Sequence, residues 1–130
     1  MSGPSAGPNK GNEASKSRFT FPKSARLLRR KDFQRVYEQG FRVVTAYFTA
    51  FCARSEPTAA SRVGLAAART LGKAVRRNRI KRRLREAVRL QRWRLPEGWD
   101  IVIQAREGAA DAPFAELMKA VERLFARCRS

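Results

Sequence analysis

The chain has 130 residues, enough for one domain and a tail, and 43% of them are hydrophobic, enough for a modest core. Twenty-nine Lys and Arg stand against eleven Asp and Glu, a formal charge of +18 that repels itself unless a polyanion is the normal partner, nucleic acid first and an anionic membrane second. With no His there is no His-based triad or dyad, two isolated cysteines argue against a zinc site, and no apolar run approaches the roughly 20 residues of a membrane span.

Residues 1–21 are rich in Gly, Ser, Pro, Asn and Lys without periodicity, and lack the apolar region of a secretory signal. They read as a flexible basic tail ahead of a domain over 22–130. A short helix is expected over residues 30–39. Phe33, Val36 and Tyr37 fall at i, i+3 and i+4, and Gly40 follows as a residue free to take positive φ. Taken alone, Phe33 and Tyr37 read as core packing. Residues 41–54 are rich in Val, Thr, Tyr and Phe with no breaker, long enough for one bent strand or two short ones. Tyr47, Thr49 and Phe51 alternate with Phe48, Ala50 and Cys52, so both faces are partly apolar and each calls for a cover. Cys52 and Cys128 sit in apolar contexts and read as small buried hydrophobes of a reducing cytosol rather than as a disulfide.

Beyond a polar loop over 55–61, residues 62–68 form a strand of small side chains. Gly64, Ala66 and Ala68 share one nearly bare face, which suits either a close-packed helix or the floor of a ligand groove. Residues 69–94 then carry twelve Lys or Arg against a single acid, Glu86. On a helix over roughly 73–93, at about 100° per residue, Ile80, Leu84, Ala87 and Val88 share one side. Asn78, Arg82, Arg85 and Arg89 form a stripe on the other, with Lys81 and Arg92 along its edge. One face packs while the other presents guanidinium groups in a row, a surface for phosphates. Leu95-Pro96-Glu97-Gly98 turns the chain into an apolar, central strand over 99–105, completing a βαβ unit. Asp111 is placed to cap a last helix with Pro113 in its first turn, and Phe114, Leu117, Met118, Val121, Leu124, Phe125 and Cys128 give that helix one apolar stripe.

Nothing in this pattern forms a catalytic centre. The acids are scattered, Glu107 and Asp111 are neighbours without the marks of a tuned acid–base pair, and no Gly-rich phosphate loop or metal-ligand spacing is present. A nucleic-acid reading fits better. Phe33, Tyr37 and Phe51 suit stacking on unpaired bases, and a phosphate-binding helix beside such a strand groove leans toward structured RNA with a single-stranded segment.

The run Gly72-Lys73-Ala74-Val75-Arg76-Arg77-Asn78-Arg79-Ile80-Lys81-Arg82 resembles the signature helix of the bacterial ribonuclease P protein family, including its central Arg-Asn-Arg. Asp32-Phe33 with Gly40 resembles that family's first helix, Arg62-Val63-Gly64-Leu65 its groove strand and Asp100-Ile101-Val102-Ile103 its last strand, so the likeness covers about residues 25 to 127. It implies an α+β fold, a single-domain αβββαβα sandwich whose four-stranded sheet has a left-handed βαβ crossover, where the general rule predicts a right-handed one. It also implies a cytoplasmic accessory subunit that assists a catalytic RNA, with its magnesium ions, in removing 5′ leaders from precursor tRNA. The implied partners are ribonuclease P RNA and precursor tRNA, with no protein-bound cofactor, membrane or obligatory protein partner. Arg76, Arg77, Asn78, Arg79, Lys81, Arg82 and Arg85 match the face toward the catalytic RNA, and Arg89 continues that stripe. Phe33, Tyr37, Thr49, Phe51, Ala66 and Ala68 match the leader groove, and Arg69 begins a basic pair. Ala66 and Ala68 replace small hydroxyl residues common in the groove, and Thr70 replaces the second member of the basic pair. A structural ribosomal protein and a nonspecific DNA-compacting protein share the charge and the α+β grain, and stand as the alternatives.

Overall fold

In the computed structural model, which describes residues 29–129, helix α1 (Arg30–Gln39) leads into strands β1 (Phe41–Val44), β2 (Phe48–Arg54) and β3 (Arg62–Ala66). Helix α2 (Ala74–Gln91), strand β4 (Trp99–Ala105) and helix α3 (Phe114–Arg129) follow, the expected αβββαβα order. The tail expected over residues 1–21 lies outside the described residues. The strands form one sheet in the order β1-β2-β4-β3, with β2 antiparallel to both its neighbours and β3 parallel to β4. The pairing runs from Phe48↔Ala105 to Arg54↔Trp99 on one side of β4, and from Arg62↔Asp100 to Ala66↔Gln104 on the other.

The strand alternation sorts side chains into two cores. Phe48, Ala50 and Cys52 join Val63, Ile101 and Ile103 beneath Ile80, Leu84, Ala87 and Val88 of α2 and Leu117, Val121, Leu124 and Phe125 of α3. On the opposite face Ala53 and Val102 meet Val36 of α1, with Phe33 and Phe51 packed against them. Helices therefore cover the whole of one face of β2 and the Phe51–Ala53 part of the other. Cys52 and Cys128 are free and buried side by side, and the hydrogen bond that the Cys52 thiol donates to the Cys128 sulfur, then burial, push the Cys52 thiol well above its ordinary value.

Of the two alternatives for residues 41–54 the structure takes the second, and four expectations elsewhere change. Residues 41–54 form two strands because the Thr45 hydroxyl accepts from the backbone N–H of Tyr47 (3.1 Å) and Phe48 (3.0 Å), a side-chain turn that reverses the chain. Gly40 has φ −84°, an ordinary extended value, so its freedom to reach positive φ is unused. A glycine is needed there for space: a Cβ would lie 2.7 Å from the Val36 carbonyl oxygen and 2.8 Å from that of Cys52. Strand β3 stops at Ala66, leaving Ala68 in the following loop, and α2 ends at Gln91 with a 3-10 turn over Arg92–Arg94. Helix α3 begins at Phe114, and the Pro113 carbonyl accepts from the Glu116 N–H (2.9 Å), so Pro113 precedes the helix instead of sitting in its first turn.

An ionic clamp fastens α1 to the sheet. Asp100, on the central strand, is fully buried. Arg62 of β3 grips both its carboxylate oxygens, Nε to Oδ1 at 3.1 Å and Nη2 to Oδ2 at 2.9 Å, and Arg35 of α1 donates to Oδ2 from above. The same Arg62 lies 3.6 Å from Asp32 of α1, which Arg29 also reaches at 3.3 Å. The bond to Asp100 holds the Arg62 guanidinium above its ordinary pKa. A carboxylate this deep is tolerated because two guanidinium groups replace its water.

Asp100→Ala leaves two partly buried arginines facing an empty site and is expected to destabilise the fold by about 3 kcal/mol. Arg29→Ala, which removes a side chain 66% exposed, should change stability by less than about 1 kcal/mol. Urea unfolding midpoints of the two variants check the contrast; equal losses would mean the clamp is not centred on Asp100.

Candidate nucleic-acid interface

The basic residues of α2 divide by what they touch. Ile80, Leu84, Ala87 and Val88 are fully buried, which turns the opposite side of the helix outward. Asn78, Arg79 and Arg82 are exposed there, with Lys81 and Arg85 half-buried beside them. Arg76 and Arg77, on the flanks, reach back along the chain: Arg76 Nε donates to the Leu71 carbonyl (2.7 Å) and Arg77 Nε to that of Gly72 (3.1 Å). Arg76 also pairs with Glu107, the acid that looked idle in the sequence. Arg89 grips Glu86, Nε to Oε1 at 2.9 Å, and holds that carboxyl below its usual range. Near Glu86 and Glu107 the positive field is thus partly cancelled, so the charge facing solvent is concentrated between Asn78 and Arg82.

Arg83 has a structural job that the charge pattern hid. Its Nη1 donates to the carbonyls of Ala109 (2.8 Å) and Ala110 (3.1 Å), and its Nη2 to that of Ala112. One guanidinium therefore caps the connection from β4 to α3. Helix position is the only sequence signal: Arg83 falls beside the buried side, away from the stripe.

The second surface is the sheet face under and beyond α1. Register places side chains in rows across it: Ala53, Asp100 and Arg62; then Arg42, Phe51, Val102 and Gly64; then Val44, Thr49, Gln104 and Ala66. Helix α1 is clamped over the first row and packs Val36 against Val102 of the second. The third row is open, with Val44 and Gln104 exposed and Thr49 and Ala66 half-buried. Phe33, Tyr37 and Phe51 form an aromatic wall beside it, with centroids 6.5 Å apart from Phe33 to Tyr37 and 4.9 Å from Tyr37 to Phe51, both edge-on. Phe33 and Phe51 serve the core and the wall together, while Tyr37 is 38% exposed and its phenol is pushed up by burial, which keeps it a neutral donor. A shallow cavity of ≈510 Å³ opens on this side of α1, lined by Arg30, Phe33, Gln34 and Tyr37.

Five of the seven expected groove residues, Phe33, Tyr37, Thr49, Phe51 and Ala66, therefore border one surface, and Ala68 lies in the loop just past the end of β3. Arg69 follows, exposed, at the start of a 3-10 turn over Arg69–Leu71 that leads into α2. Sequence reasoning missed Gln104, whose amide stands in the open row on the central strand. Its signal was present: in Trp99–Ala105 it is the lone polar residue after Asp100. Chemically, the two surfaces offer fixed cations for phosphates and ring edges, an amide and a hydroxyl for unpaired bases.

A family model described as Ribonuclease P matches residues 21–129. The chain is 50% identical over 105 residues to the ribonuclease P protein component of Symbiobacterium thermophilum, covering 81% of this chain and 91% of that protein. It is 40% identical over 114 residues to that of Desulfovibrio desulfuricans, covering 82% and 88%. Among solved structures, the RNase P protein from Thermotoga maritima superposes with a TM-score of 0.70 at 30% identity, over 78% of this chain and 96% of that one. The RNase P protein of Staphylococcus aureus gives 0.70 at 28% identity, over 82% and 97%.

Proposed function

The chain belongs to the ribonuclease P protein family, and from that premise we propose that it binds the catalytic RNA through α2 and the 5′ leader of precursor tRNA through the sheet groove. Membership makes it a protein component of an endoribonuclease of tRNA processing, associated with ribonuclease P RNA. It also sets aside the ribosomal and DNA-compacting alternatives. The observation that carries the finer reading is the pairing of an exposed cation cluster around Asn78, Arg79 and Arg82 with an open, aromatic-walled sheet floor.

In this reading the arginines neutralise phosphates of the folded RNA and release its counterions. Arg76, Arg77, Lys81, Arg85 and Arg89 broaden the contact, with Arg76 and Arg89 held in place by their acids. The leader lies extended along the row of Thr49, Gln104 and Ala66, stacks on Tyr37 and its neighbours, and leaves past Ala68 and Arg69. Ala66 and Ala68 offer it a smooth floor without hydroxyls, so specificity falls to Thr49, Gln104 and the aromatic wall. Bond cleavage belongs to the RNA and its magnesium ions. The protein holds the substrate in register and offsets phosphate repulsion, which lowers the magnesium that assembly needs. The cytoplasm, where precursor tRNA is made, is the proposed location.

The protein alone should leave precursor tRNA intact, and protein plus its cognate RNA should cleave it at magnesium concentrations where the RNA alone is slow; cleavage by the RNA-free protein would overturn the division of labour. Arg79→Ala with Arg82→Ala should lower affinity for the RNA and flatten the slope of log affinity against log salt by about one to two units, and an unchanged slope would place both side chains away from phosphate. Tyr37→Ala should weaken binding of leader-bearing precursor by about 1–3 kcal/mol and leave mature tRNA unaffected, whereas equal losses on both would make Tyr37 a packing residue only.

A further inference from the structure

Trp93 is 75% exposed, while Trp99, the other tryptophan, is buried. A large ring in open water is unfavourable and contributes nothing to the core. Trp93 sits on the 3-10 turn over Arg92–Arg94 that ends α2, four residues past Arg89 and so about 6 Å further along the axis. The Arg94 guanidinium stacks over one side of the ring, 4.4 Å from its centroid. Arg94 is itself anchored, with Nη1 3.6 Å from Glu122 and its carbonyl accepting from Arg129 at 2.9 Å. The ring is therefore backed by a fixed cation and open on its remaining surface.

Beside it lies a shallow cavity of ≈290 Å³, lined by Ala60, Ser61, Arg92, Trp93, Leu95 and Glu97. Its chemistry is mixed. Ser61 is already committed, its hydroxyl donating to the Pro96 carbonyl (2.6 Å) and accepting from the Trp99 N–H (2.9 Å). The exposed Glu97 carboxylate disfavours a phosphate inside the cavity but can accept from the exocyclic amine of a base. Arg92 supplies positive charge for the phosphates on either side. An open indole with a cation behind it, a cavity at the low end of ligand pockets and an acceptor on the rim describe a site for one flat, amine-bearing heterocycle on a polyanionic chain.

From this geometry we infer that Trp93 and the cavity beside it hold an unpaired base of the ribonuclease P RNA, a second contact roughly 22 Å along α2 from Asn78. The site rests on the proposed binding of that RNA by α2. It belongs to the RNA and not to the leader, because α2 covers the sheet face opposite the aromatic wall. An amine-bearing base, adenine, cytosine or guanine, is favoured over uracil by Glu97.

The test titrates the full-length protein with a transcript of its cognate ribonuclease P RNA and follows tryptophan emission and its quenching by iodide, with Trp93→Phe as the spectral reference. Trp99 is too buried for iodide to reach, so the accessible signal is that of Trp93. The RNA should quench Trp93 and shield it from iodide. Trp93→Ala should lose about tenfold in affinity for the RNA with an unchanged melting temperature, and Trp93→Phe should keep most of it. Wild-type affinity in Trp93→Ala, or a Trp93 still open to iodide in the bound complex, overturns this inference and leaves the proposed function standing. Failure of the wild-type protein to bind the RNA overturns both, and shielding by precursor tRNA alone would assign the site to the wrong RNA.

Discussion

The carboxylate of Asp100, buried on the central strand beneath two guanidinium groups, is the contact on which the rest of the architecture depends. Arg62 fixes it to the edge strand and Arg35 to the first helix, so one acid sets three elements against each other. An apolar contact alone would let α1 slide over the small residues of the sheet; a bidentate ion pair has one geometry. With α1 anchored at that end, the row of Thr49, Gln104 and Ala66 at the other end stays uncovered. The same interaction that closes one half of the sheet face leaves the other half open.

A chain with this excess of cations has to choose where its few acids go. Asp100 and Asp32 hold α1, Glu107 holds the entry to α2 through Arg76, and Glu86 holds Arg89. Each orients an arginine or removes it from the solvent-facing field. On α2 itself the exposed cations are Arg79 and Arg82, beside Asn78, on a helix whose other side is fully packed. Position, more than the net charge, sets the character of that surface.

Much of this could be read from the residues, and the exceptions share a cause. The buried side of α2, the two-faced β2 and the apolar β4 were legible because periodicity is a local property. The roles of Gly40, Arg83 and Glu107 were not, because each depends on a backbone carbonyl or side chain brought close by tertiary packing. Gly40 illustrates the point: sequence context favoured a helix terminator with special φ, whereas the Cys52 carbonyl of the neighbouring strand, together with that of Val36 one turn back, leaves no room for a Cβ. The meeting of Cys52 with Cys128 was hidden for the same reason. In the candidate site, the residue types on α2 and the aromatic wall were visible in advance, but which arginines were already engaged was not. The resemblance, and not the physics, supplied the expectation of a left-handed crossover, since general chain stereochemistry favours the opposite hand.

The sheet order has a consequence for how the molecule comes into being. The central strand, β4, is the last strand to be synthesised, and β3 has no other partner in the sheet. Until residue 105 has left the ribosome, only the β1–β2 hairpin can pair, the clamp lacks its acid, and α2 has no completed sheet on which to bury its apolar side. The sheet of this strongly cationic chain thus closes in a late, non-local step, once β4 arrives to join β2 to β3.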